Sequence, residues 1–194
     1  MTIQGQMIKR QEIRPGVYTV DRYKMTNGAG TLIAELDYIS ITRGADLIGE
    51  SASIAEEKTI PNKPDQSASP NWTESIYIPL SAGQQYTECA NIYNPIHTEK
   101  SVALKAGLPD IILHGSATKA IALSTIINQC FDSDPQKITR LYGQLRAMVM
   151  MDTSITIQCL SIEDLNNERI IHFNVLTQNG ELAIANGIVI GKVT

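Results

Sequence analysis

No run of apolar residues in this chain approaches the roughly 20 that a bilayer-spanning helix needs, so a membrane partner is not expected. The opening "MTIQGQMIKRQEIRPG" carries charge without an apolar stretch, and no secretory signal is read there. Basic charge is scarce: 16 Lys and Arg against 20 Asp and Glu leave a net charge of −4. With no basic stripe, nucleic acid is not an expected partner. The three cysteines, Cys89, Cys130 and Cys159, are odd in number, scattered, and form no CxxC. They read as reduced thiols in a cytoplasmic protein. Histidine is as rare. His97, His114 and His172 lack the cysteine or acid spacing of a metal site, so no metal is expected.

What is present is core-forming material. Of the 194 residues, 43% are hydrophobic, enough for one full domain or two small ones. "GVYTVDRYKM" and "TLIAELDYISI" alternate like strands around a Thr-Asn-Gly-Ala-Gly turn, and Gly44 breaks the pattern. Residues 1–54 are therefore read as N-terminal strands. Residues 55–75, rich in Pro, Ser, Asn and Asp, read as a linker or long loop.

Residues 76–194 read as the main domain. "ESIYIPLS" is a strand, and residues 84–91 form one or two helical turns. "TEKSVALKAG" is a short helix with Thr98 as N-cap and Gly107 as stop. "SATKAIALSTIINQCF" is apolar nearly all round, which predicts a helix buried on most sides. "LRAMVM", "TSITIQCLSI", "RIIHFNVLTQ" and "ELAIANGIVIGKV" are four strands with turns at Asp152, Asn166-Asn167 and Asn179-Gly180. His172, mid-strand, is expected at a sheet surface or edge. The expected class is α+β, a long helix wrapped by an antiparallel sheet.

The segment "ANIYNPIHTEKSVALKAGLPDIILHG" carries a resemblance. Asn94, Pro95, Ile96, His97, Ala103, Ile112, Leu113, His114 and Gly115 resemble the signature of the MaoC-like dehydratases, which include the R-specific enoyl-CoA hydratases (hydratase 2). Arg146 and the Asp152-Thr153 turn stand in matching places. The resemblance covers residues 76–194 and implies a hot-dog fold. More weakly, residues 7–53 resemble part of a second hot-dog repeat.

The resemblance also implies chemistry. In the family an Asp and a His hold a water that adds to an enoyl thioester, while an amide at a helix start holds the thioester oxygen. Here His97 is the implied general acid/base and Gly115 the implied amide. Asn94 is implied to orient the loop or bond the substrate. The family Asp falls on Ile92, which can neither take a proton nor orient a water, and a helical hydroxyl of some members falls about at Ala120. Glu88, Cys89, Tyr93 and Glu99 are the nearby groups able to substitute. Ile92, Tyr93, His114 and Met148 are expected at the substrate, with His114 also fixing its loop. Met148, Met150 and Met151 are expected on one strand, as core or as an apolar wall.

No cofactor is implied beyond the CoA or acyl carrier of the substrate itself. A homodimer, or pairing with a second hot-dog chain, is expected. Three activities remain open: a thioester hydratase, dehydratase or double-bond isomerase; a hot-dog of secondary metabolism acting in polyketide dehydration, isomerisation or cyclisation; and a non-catalytic subunit or acyl-binding protein.

Overall fold

A computed structural model describes residues 1–61 and 69–193. Two compact units are present, Met1–Pro61 and Asn62–Thr194. Residues 62–68, within the stretch read as a linker, lie outside the described residues.

The first unit is a sheet of β1 (Thr2–Ile13), β2 (Gly16–Thr26), β3 (Leu32–Arg43) and the short β4 (Ala52–Ser53). Their order is β3-β2-β1-β4. The expected turn between β2 and β3 is built by Asn27, whose Oδ1 accepts from the amides of Ala29 and Thr31, both at 2.9 Å. Gly30 takes the positive φ of 80° the turn requires. β1 starts at Thr2, well before the stretch whose alternation identified strands. Its polar composition hides it, and pairing with β2 along its length supplies what propensity does not.

The second unit holds β5 (Trp72–Ile78), α1 (Ala82–Ala90), α2 (Lys100–Lys105), α3 (Gly115–Cys130), β6 (Ile138–Leu145), β7 (Thr153–Leu165), β8 (Glu168–Leu176) and β9 (Leu182–Lys192). The strands form one antiparallel sheet, ordered β5-β7-β8-β9-β6. The turn between β7 and β8 uses Asn166 and Asn167, both with positive φ, as a tight hairpin demands. α3 is the expected buried helix. Its Ala117, Ala122, Ile126 and Cys130 share a core with Ile155 and Ile157 of β7, Ile171, Phe173 and Val175 of β8, and Ile184 and Val189 of β9. A helix laid on an antiparallel sheet in this way is the α+β hot-dog.

Four local expectations are corrected. "LRAMVM" is not a strand: β6 ends at Leu145, where that stretch begins. Consecutive apolar residues there lack the two-residue period of a ladder. The chain instead swings across to residues 112–113, with the Val149 carbonyl accepting from Leu113 N at 2.8 Å. Met148 therefore lies off any strand and is 48% exposed, whereas Val149 and Met151 are buried. Thr98 does not cap α2. Its amide closes the preceding turn onto the Pro95 carbonyl, and Glu99 occupies the cap position. α1 is longer than one or two turns, running over Ala82–Ala90. His172 is neither at an edge nor at the surface: β8 is the central strand and His172 is only 4% exposed.

Candidate active site

The loop after α1 begins at Asn91, which ends the helix in the left-handed conformation. Asn94 then starts a single 3-10 turn, Pro95–His97. Proline suits the first position of such a turn because its fixed φ fits and its missing N–H costs nothing there. The Asn94 side chain accepts from the Ile96 amide at 3.4 Å. That is the loop-orienting option among the two implied for it.

The turn presents His97 to the segment before α3. Its Nδ1 lies 2.8 Å from the Ile112 carbonyl oxygen. A carbonyl can only accept, so Nδ1 carries a proton, and Nε2 is the nitrogen left to take up or release one. The His97 ring is half-buried and stacks on the His114 ring, centroids 3.7 Å apart and planes 26° from parallel.

His114 is buried, 2% exposed. Its Nε2 meets the hydroxyl of the buried Thr87 on α1 at 3.3 Å, and the Tyr86 ring tilts against it at 5.0 Å. Burial pushes this imidazole below its ordinary range. The adjacent His97 adds to the shift, and the Ile92 carbonyl opposes it. His114 is thus a neutral ring at pH near 7.

His114 is also the residue from which α3 springs, so Gly115 opens the helix. The first amides of a helix have no acceptor within it, and the helix dipole points its positive end there. Gly115 fits because a Cβ would meet the Leu145 side chain at 2.5 Å. One turn further on, Lys119 lies against the helix with its ammonium destabilised by burial.

The sequence-derived residues divide accordingly. His97, His114 and Gly115 come together. Ile92 is 43% exposed and Tyr93 65%. The Tyr93 hydroxyl donates to Glu88 Oε2 at 3.2 Å, which occupies one of the acids able to substitute for the family Asp. Cys89 and Glu99 are exposed. Among the described residues, none of these four is bonded to the His97 ring. The group that meets that ring face is His114. Sequence reasoning missed Gly83, Thr87 and the Ile112 carbonyl. A backbone oxygen leaves no mark in side-chain chemistry, and a helical Gly or Thr has many uses. Among the described residues, no three His, Cys, Asp or Glu gather as a metal site, and no helix is long and apolar enough to cross a membrane.

Comparison with known proteins adds to this geometry. The family model described as MaoC like domain matches residues 82–178, half of the chain. The fatty acid synthase beta subunit pkiC of Emericella nidulans is 27% identical over 132 residues, 64% of this chain and 7% of that protein. The chain thus spans a small fraction of this curated relative. Among solved structures, a MaoC-like dehydratase from Phytophthora capsici superposes with a TM-score of 0.85 at 16% identity, over 98% of this chain and 64% of that one. The (R)-hydratase from A. caviae involved in PHA biosynthesis superposes at 0.55 and 16% identity, over 66% of this chain and 99% of that one.

Proposed function

The chain belongs to the MaoC-like dehydratase family, and from that premise we propose that it adds or removes water at an acyl thioester, with His97 as the proton carrier. The observation that supports this reading is the His97–Ile112 bond, which puts a proton on Nδ1 and so makes Nε2 the nitrogen that exchanges a proton. In the dehydrating direction Nε2 takes the proton from the carbon next to the thioester. The electron pair of that C–H bond moves toward the thioester oxygen, which the Gly115 amide and the dipole of α3 stabilise. The imidazolium then returns its proton to the 3-hydroxyl. The C–O bond breaks, the double bond forms, and the hydroxyl leaves as water. One imidazole performs both transfers, so the cycle balances without the carboxylate absent at Ile92. Assistance of this kind is worth about 10²–10⁴-fold.

The same single base can move a double bond by taking a proton from one carbon and returning it to another. The substrate is an acyl-CoA or a carrier-bound acyl chain. The likeness to a fatty acid synthase subunit supports the carrier-bound form. A homodimer, or pairing with a second hot-dog chain, belongs to this proposal.

The test is hydration of crotonyl-CoA by the native chain and by His97→Ala. Turnover in the first and its loss in the second is expected. Equal turnover in both would remove His97 from the chemistry. The exposed Ile92 in the carboxylate position favours a second reading, a non-catalytic acyl-binding subunit. No turnover in the native chain, together with retention of an acyl-CoA through gel filtration, would favour it.

A further inference from the structure

We infer that His114 is a positioning residue: its buried ring is the platform that, with the Ile112 carbonyl, holds His97 with Nδ1 protonated and Nε2 bare. The inference rests on the reading of His97 as proton carrier and concerns how that carrier works without a carboxylate.

An imidazole held by one hydrogen bond can still rotate about it. Two constraints fix a plane, and here the second is the stack on His114 at 3.7 Å. His114 is itself immobilised by Thr87 on one side and Tyr86 on another. It sits at the exact point where the chain enters α3, so the platform and the helix-start amide are one rigid piece.

The stack also decides where a proton goes. Two imidazoles in face contact cannot both be charged without strong repulsion, and the buried one pays the larger desolvation cost. Burial therefore disfavours a charge on His114. The neutral face of His114 then lies against the imidazolium, a favourable arrangement for a cation over a π system. In this way a ring does part of what a carboxylate would do. It stabilises the charged intermediate state and keeps the carrier's orientation.

The titratable groups around the pair do not supply an alternative. On α1, Glu88 is engaged by Tyr93, and Tyr86 contributes its ring to His114. Near α2, Asp110 is paired with Lys100 at 2.6 Å, and Glu99 is exposed. On α3, Lys119 has an amine whose charged form burial disfavours, and it offers no carboxylate. No carboxylate among the described residues is bonded to either ring.

The experiment compares native protein with His114→Phe and His114→Leu. Two quantities are read: the tautomer of His97 from its ring nitrogen-15 shifts, and kcat and KM for crotonyl-CoA. Phenylalanine keeps a flat neutral face and should preserve the Nδ1-protonated tautomer and most of kcat. Leucine fills space without a face. It should give a mixed tautomer signal and lower kcat by on the order of 10²-fold with KM little changed, as misorientation of a reacting group does. Unchanged His172 ring signals certify that each variant is folded. A native tautomer pattern in folded His114→Leu overturns the inference, as does its loss in folded His114→Phe. The tautomer readout needs no turnover. If crotonyl-CoA is not hydrated at all, the functional proposal fails while this inference is still decided.

Discussion

Gly83, in the first turn of α1, lies directly against the backbone carbonyl of His97, leaving no space for a side chain. A Cβ there would overlap that oxygen and meet the Met151 side chain at 2.7 Å. α1 and the turn carrying His97 are thus locked at van der Waals contact. Gly83→Ala must push the turn outward. We expect about 1–3 kcal/mol lost in denaturant unfolding and a larger fractional loss of thioester hydration. Native activity in a folded Gly83→Ala protein would show that the turn tolerates displacement.

Ile92→Asp tests whether the site still accepts a carboxylate. Ile92 is 43% exposed, so the change should alter stability by no more than about 0.5 kcal/mol. Crotonyl-CoA hydration should rise, by up to about 10²-fold if the new carboxylate reaches water beside His97. Unaltered or lower turnover would mean that position 92 no longer faces the reacting centre.

Acid should destabilise the second unit through its buried histidines. Burial depresses His114 and, opposed by Glu163, also His172. A histidine depressed in the folded state binds its proton more readily when unfolded. Its contribution is therefore intact above the unfolded value, about 6.5, and drains away as pH falls below it. The thermal midpoint should drop between about pH 7 and about pH 5. His172→Gln should flatten that slope even if it lowers the midpoint at neutral pH. A variant with the native slope would exclude His172 as a contributor.

In the first unit, Arg22 grips Asp37 with two bonds, Nε to Oδ1 at 2.6 Å and Nη2 to Oδ2 at 2.7 Å. The carboxylate is 9% exposed, and the guanidinium holds its pKa below the ordinary range. A depressed carboxylate stabilises above its unfolded value, and the effect is lost as pH falls through the folded one. Asp37→Asn should cost about 1–2 kcal/mol near neutral pH, allowing for partial solvent screening of the pair. It should cost much less in strong acid. Equal costs at both pH values would mean that the pair contributes shape and not charge.

Thiol chemistry should separate the cysteines. Cys89 is exposed, whereas Cys130 and Cys159 are buried. A bulky aromatic disulfide reagent should modify Cys89 in the folded protein and the other two only in denaturant. Prompt reaction of all three would reveal opening of the core at the end of α3.

Much of the architecture was legible because its signals are local and periodic. The all-round apolar character of residues 116–131 announced a buried helix, and alternation with Asn-Asn and Asn-Gly turns announced the hairpins. β1 was less visible, since Gln4, Gln6, Lys9 and Arg10 give it little strand character before β2 pairs with it. The stretch Arg146–Met151 misled for the opposite reason: it looks strand-like, but after the Arg146 and Ala147 amides bond β9 its backbone turns away, and the Val149 carbonyl accepts from Leu113.

The sequence by itself determined the family, the α+β hot-dog class and the presence of His97 and Gly115 at motif positions, because these depend on residue types at short spacing. It could not decide which groups pack against the His97 ring. That was settled only when α1, the Asn94 turn and the start of α3 packed together. Packing set the ring of His114 against that of His97 and the Ile112 carbonyl against its Nδ1. Such contacts join residues 15 and more positions apart. Their chemistry depends on burial and angle, which no linear pattern encodes.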